Sequence, residues 1–223
     1  MSDDAVPEAP SPRTTVRRKR DRADYDPTTV EAILDEGLVC HLGVVVDGAP
    51  VVIPTLHARS GRTLYLHGAP GNAALRTAAT DGAQVCATVT LIDGLVLARS
   101  AFHHSANYRS AVVFGAARKV EDTEEKEAAL AALVEHIVPG RDEGTRAPSA
   151  EELRSTLVIA LPIEEASAKV RTGPPIDEPE DHDLGHWAGV LPLTVVPGEP
   201  QPDPLLPEGT AVPDHVRSWR PRR

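Results

Sequence analysis

Residues 38–68 read LVCHLGVVV, Asp47-Gly48, APVVIPTLHAR, Ser60-Gly61, RTLYLHG. Apolar and polar residues alternate here, and the runs are separated by dipeptides that tolerate positive φ, which is the pattern of antiparallel strands joined by tight hairpins. A chain carrying this stretch must pair three consecutive strands and bury one of their faces. Pro54 sits in the middle of the second strand and removes a ladder donor, so that position calls for an edge, a bulge or a place facing a ligand.

The rest of the chain extends the meander. QVCATVTLIDGLVLAR, residues 84–99, is a long β-branched strand with a bend at Asp93-Gly94; Ser110–Val120 and STLVIALPI, residues 155–163, are further strands. Helices interrupt them. Asp26-Pro27 before TTVEAILDEG supplies an N-cap and a first-turn proline, with Val30, Ile33 and Leu34 on one face and Gly37 as the stop. Residues 71–82 form a short Ala-rich helix ending at Gly82. Asp122 with Glu125 opens a helix over TEEKEAALAALVEHIV whose buried stripe is Leu130, Leu133, Val134 and Ile137, and Ser149 with Glu152 opens one more turn. The sum is a mainly β (α+β) fold: a small barrel of six antiparallel strands with short helices and one helix across an end. Residues 1–15 read as a disordered tail, 16–173 as the barrel domain and 174–223 as a proline-rich extension partly docked through LGHWAGVLPL, 11 of the 21 prolines lying in that last segment.

Aromatic residues make up only 3% of the chain, so the core is built from Val, Leu, Ile and Ala. The net charge of -10 repels nucleic acid and anionic membranes as partners, apart from the basic run Val-Arg-Arg-Lys-Arg-Asp-Arg at 16–22, read as a solvated arm. Two unpaired cysteines, no CxxC, no apolar leader after Met1 and no long apolar window lead to the expectation of a cytoplasmic protein with reduced thiols and no membrane span. Neither GxGxxG nor GxxxxGK is present, which argues against a Rossmann or P-loop nucleotide site.

Polar groups concentrate between two strands, in LARSAFHHSANYRSAVVFG. Adjacent His103 and His104 point apart on a strand, and His41, His57, His67 and Cys40 lie at no ligand spacing, so no metal site is expected. Ser105, Asn107, Tyr108, Arg109 and Ser110 offer hydroxyl, amide, phenol and guanidinium groups suited to a phosphorylated or heteroaromatic ligand, or to a hairpin that satisfies its own backbone. His57 and His67 end their strands, where a barrel mouth would gather polar groups. Ser167, Lys169 and Arg171 alternate along one face, as an anion-facing patch or a charge-defended edge. Trp187 is an anchor for the tail or an aromatic wall over a ligand.

The succession YDPTTVEAILDEG, LVCHLGVVVDGAPVVIPTLHAR, LYLHGAP, TLIDGLVLARSAFHHSANYRSAVVFGAARKV, SAKVRTGPP and HWAGVLPL resembles the pyridoxamine 5'-phosphate oxidase-like proteins, in the branch of flavin-nucleotide-binding proteins grouped with nitroimidazole-resistance proteins. The resemblance implies a split β-barrel homodimer with FMN at the subunit interface. His57, Arg59, Tyr65 and His67 would approach the isoalloxazine and ribityl chain, and Asn107, Tyr108, Arg109 and Ser110 would line the same interface. Where related sequences carry a basic residue early in the helix after the HG turn, this chain has Ala73, leaving Arg76 as the nearest cation. The resulting expectation is an FMN-dependent oxidoreductase that passes nicotinamide-derived electrons to a small electrophile such as a nitroaromatic or quinone, with His67 delivering a proton, and without oxidation of pyridoxamine phosphate. The alternative is a flavin or haem carrier without turnover; haem and deazaflavin are the other cofactors of the fold family.

Overall fold

The computed structural model describes residues 8–222. All strands belong to one antiparallel network: β1 (Ala23–Asp24), β2 (Val39–Val46), β3 (Ala49–Ser60), β4 (Thr63–Gly68), β5 (Gln84–Leu97), β6 (Ser105–Ala116), β7 (Arg118–Lys119), β8 (Leu157–Pro162), β9 (Glu165–Arg171) and β10 (Gly189–Pro192). They run in the order β1-β9-β6-β5-β2-β3-β4-β8-β7, and β10 pairs with β5. The helices are α1 (Pro27–Glu36), α2 (Ala73–Ala78), α3 (Thr123–Ile137), α4 (Ala150–Arg154) and α5 (Asp214–Arg217). The mainly β architecture with short helices is as expected, but the described residues form ten strands in an open sheet, not six. Three of the extra strands, β1, β7 and β10, are only two to four residues long, below what alternation can signal, and β9 reads as polar because one of its faces is charged.

Local chemistry sets most boundaries. Asp47 and Gly48 both take positive φ, 49° and 80°, as a two-residue hairpin turn requires. Asp26 accepts from Thr28 N at the start of α1 and Asp122 from Glu125 N at the start of α3. Ser149 and Glu152 form a complete capping box at α4. The bend at Asp93-Gly94 is a register shift in the β5–β6 ladder. Pro54 pairs with His41 of β2, while β4 joins β3 only from His57 onward, so the proline faces the side of the strand without a ladder partner.

The sheet has a closed inner face and an outer face of two halves. Leu42 and Val44 of β2, Leu64 and Leu66 of β4, Val89 of β5, Val113 of β6 and Ala168 of β9 all point inward into one core that α1 and α2 cover. On the outside, α3 lies across β3, β4 and β8 and buries a second cluster of Val120, Ala129, Val158 and Ala160. The outer face of β2, β5, β6 and β9 has no helix across it among the described residues. The N-terminal segment flanks it: Arg13 stacks on the Phe114 ring at 5.5 Å and binds Glu165 and Gln84, and β1 pairs with Lys169 and Ala168. Of the expected 1–15 tail, residues 1–7 lie outside the described residues, and Thr14 is buried. At the other end of the chain, Trp219 Nε1 donates to Ile137 O and Arg222 to Glu135 O, tying the tail to the last turn of α3. No helix among the described residues is long and apolar enough to cross a membrane.

Candidate functional site

Strand register places Tyr108, Ser110 and Val112 of β6 opposite Arg171, Lys169 and Ser167 of β9, and opposite Ile92, Thr90 and Thr88 of β5. By the period of two, all nine side chains lie on the outer face. The polar run is therefore part of strand β6, which starts at Ser105, five residues earlier than its apolar half suggests. Lys169 is half-buried and carries no carboxylate partner among the described residues. Arg171 is 6% exposed, yet its guanidinium meets only neutral acceptors: Asn107 Oδ1, Gly173 O at 3.2 Å and Pro174 O at 3.1 Å. Its Nε is buried without a partner, and burial, with Arg22 nearby, pulls its pKa down. A buried cation without a counter-charge costs free energy that a bound anion would recover.

The second feature lies under α3. Of the stripe expected to be buried, Leu133 is buried and Leu130, Val134 and Ile137 are half-buried; all four, with Leu56 and His67, wall a cavity of about 910 Å³. The helix's buried contacts are Ala129, Leu133 and His136, so its apolar face is wider than the sheet beneath it covers. His67 Nδ1 is buried with no hydrogen-bond partner, and desolvation lowers the pKa of the ring, which keeps the imidazole neutral. Exposed Glu124, Glu127, Asp142, Glu152 and Arg146 form the polar rim. Leu56 follows Val52 and Pro54 along the outer face of β3, so the cavity opens beside the uncovered half-sheet.

Other expected site residues are drawn elsewhere. His57 is fully buried on the opposite face; its Nε2 donates to Leu34 O at 2.8 Å, its ring packs 5.0 Å from that of His136, and desolvation lowers its pKa to about 4. His136 makes the matching bond to Gly37 O, so two imidazoles tie down the C-terminal end of α1. Arg59 is engaged by Asp35 and Glu31 of α1, and Arg109, bidentate to both Glu36 and Asp93, has its pKa raised by these carboxylates. Neither guanidinium is free for a phosphate. Tyr65 donates to Glu125 under α3, and Asn107 is spent on Arg171 and Gly173. Arg76 and Ser105 are exposed, away from the buried groups. Trp187 is 69% exposed; the anchoring tryptophan is Trp219. His104 binds Ser100 O, and His103 sits 3.6 Å from Glu178. No group of three metal-ligating side chains occurs among the described residues, and burial pushes the Cys40 thiol up to about 12.

The family model described as pyridoxamine 5'-phosphate oxidase matches residues 26–170. Among solved structures, flavocytochrome Anf3 from Azotobacter vinelandii is 40% identical, with 96% of this chain and 99% of that chain covered at a TM-score of 0.89. The FAD and heme binding protein from Mycobacterium smegmatis is 37% identical over 88% of this chain and 96% of that one, with a TM-score of 0.84. A putative 5-nitroimidazole antibiotic resistance protein from Bacteroides thetaiotaomicron is 26% identical over 66% and 86% of the two chains, with a TM-score of 0.55. No curated protein matches the chain.

Proposed function

The chain belongs to the pyridoxamine 5'-phosphate oxidase family, and from that premise we propose that it is a two-cofactor redox protein, with a flavin nucleotide on the uncovered outer face and a haem in the cavity under α3. The observation that carries the reading is His67: a neutral imidazole with a buried, unpartnered Nδ1, lining an apolar cavity of about 910 Å³. Neutral imidazole is the metal-ligating form, and the walls of Leu56, Leu130, Val134 and Ile137 suit the apolar plane of a haem, whose carboxylates would face solvent because the rim is acidic and Arg146 is paired with Glu152. This assigns His67 to ligation in place of proton delivery. The printed descriptions of the two relatives, a flavocytochrome and a FAD and heme binding protein, support the pairing of cofactors.

For the flavin, Ser110, Lys169 and Arg171 would hold a phosphate, and Tyr108 would flank it; the uncompensated Arg171 guanidinium is the group that fits an anion. Held by Ser110, Lys169 and Arg171, a flavin would supply hydride chemistry with a nicotinamide donor, and a haem at His67 would supply one-electron chemistry. The protein's part is to hold the two sites as neighbours, with Leu56 shared between the outer face and the cavity, and to keep the His67 side dry. A small electrophile such as a nitroaromatic or quinone is the acceptor class to screen. Exposed Val39, Val45, Val52 and Ile92 on the same outer face support a homodimer that covers them. The extension 174–223 then acts as a separate strap, pinned at Asp177, β10 and Trp219.

Absorption spectra of the purified protein, before and after haemin and flavin are added, test this. Wild type is expected to give a Soret band and flavin bands. His67→Ala should lose or shift the Soret band with the flavin bands retained, and imidazole should restore it. A Soret band indifferent to His67, or no haem binding at all, removes the haem half of the reading.

A further inference from the structure

We infer that a cavity under the C-terminal strap binds a small phenol, its ring against Trp219 and its hydroxyl donating to His136 Nδ1. The inference is independent of the flavin and haem reading. Leu38, Leu91 and Pro139 of the body and Val195 and Trp219 of the strap line a cavity of about 220 Å³, which shares no lining residue with the one under α3. A dry apolar cavity of about 150 Å³ already takes up benzene, so this one has room for a single substituted ring and is too small for a flavin or a haem.

The strap holds the gap open. Leu193 N donates to Asp93 O at 3.0 Å and Trp219 Nε1 to Ile137 O at 2.8 Å, so the strap is tied down at Leu193 and again at Trp219. With its N–H spent on a carbonyl, the indole is fixed as a wall of the cavity and does not serve as its plug. An unfilled apolar gap forfeits packing contacts, which an aromatic guest restores. The polar groups choose the guest. Asp35 and Glu36 border the cavity, but their carboxylates are held by Arg59 and Arg109. Arg220 and Arg222 are exposed and donate to Trp219 O and Glu135 O. His136 is different: its Nε2 donates to Gly37 O, and its Nδ1 has no hydrogen bond among the described residues. Burial keeps the ring neutral, so with the proton on Nε2 the Nδ1 is an acceptor. The site therefore asks for a ring that carries one donor, which phenol has and toluene and benzoate lack. A wider groove of about 720 Å³, bordered by the same Glu36, Leu91, Val195 and Pro221, reaches Thr90 and Ile92 on the outer face and gives the ligand its way in.

The test uses full-length protein as purified, in a Trp187→Phe background that leaves Trp219 as the one tryptophan. Its emission, excited beyond the absorption of phenol, is followed during titration with phenol, toluene and benzoate. Phenol is expected to change it saturably with a Kd of about 0.1–1 mM, and toluene and benzoate to bind at least roughly tenfold more weakly. Val195→Phe, at an exposed strap position, fills the cavity with a ring and should weaken phenol binding at least about tenfold with the melting temperature unchanged. Toluene binding as tightly as phenol would overturn the role of His136, and benzoate binding more tightly would overturn it in favour of the arginines. No saturable change with phenol, an equal change in Val195→Phe, or a phenol effect that appears in a Soret band and not at Trp219 would overturn the site.

Discussion

The α1 side of the molecule and the β9 edge use the same residue types in opposite ways. Against α1, Arg59 faces Asp35 and Glu31, Arg109 faces Glu36 and Asp93, and His57 and His136 each donate a hydrogen bond to a carbonyl at the helix end. At the β9 edge, Arg171, Lys169 and the basic arm at 16–22 find no carboxylate among the described residues, and Arg171 Nε has no acceptor at all. His57 Nδ1 is also buried without a partner, but its Nε2 is tied to Leu34 O; His67, with no hydrogen bond among the described residues, stands with the second group. A charged or ligating side chain that is already satisfied holds the fold together; one that is buried and unsatisfied is kept for something outside the chain.

The comparison can be broken first at His57. Its folded pKa of about 4 lies below the ordinary imidazole value of 6.5, so the unfolded chain binds the proton first and stability falls as pH drops through that window. The loss should reach about 3 kcal/mol by pH 4, and His136, also lowered by burial, acts in the same direction. Urea unfolding between pH 7 and 4 measures it; the slope should flatten in His57→Gln, and a wild-type stability independent of pH would show that these imidazoles are not held neutral. Next in size, Arg109→Met should destabilise by about 2 kcal/mol, because Glu36 and Asp93 are left close together without their cation. Flavin affinity should stay within about twofold. A large loss of flavin binding with unchanged stability would move Arg109 back into the site.

Much of the sheet was legible because alternation and turn chemistry are local: the hairpin at Asp47-Gly48, the bulge at Asp93-Gly94 and the caps of α1, α3 and α4 all stand where their residues put them. The site was legible only in part. Tyr108, Ser110, Lys169 and Arg171 do share a face, since a period of two fixes which residues of a strand look the same way. Arg59, Arg109 and His57 could not be separated from them by type, because what removes them from the site is α1, and nothing in the spacing of TLHAR, residues 55–59, announces which helix face will meet a strand. The cavity was hidden for a similar reason. An apolar stripe of Leu130, Leu133, Val134 and Ile137 looks the same whether protein or ligand covers it, and only the width of the face against the narrow sheet reveals the gap.

Arg171 gives the smallest effect on stability and the sharpest sign. If its guanidinium were a structural tie like Arg109, then Arg171→Met would cost stability. Its partners are a side-chain amide and two backbone carbonyls, neutral groups that offset little of the desolvation of a buried cation. The methionine retains the apolar stem and removes the uncompensated charge, so the flavin-free variant should be as stable as wild type or gain up to about 1 kcal/mol. The flavin-loaded variant should do the reverse, losing at least about tenfold in affinity and with it the thermal stabilisation that ligand binding confers. Paired melts with and without flavin read both numbers from one preparation. A variant that is destabilised without flavin and binds it normally would place Arg171 with Arg59 and Arg109, and the division between the two regions would then follow strand position alone, not the presence of a missing anion.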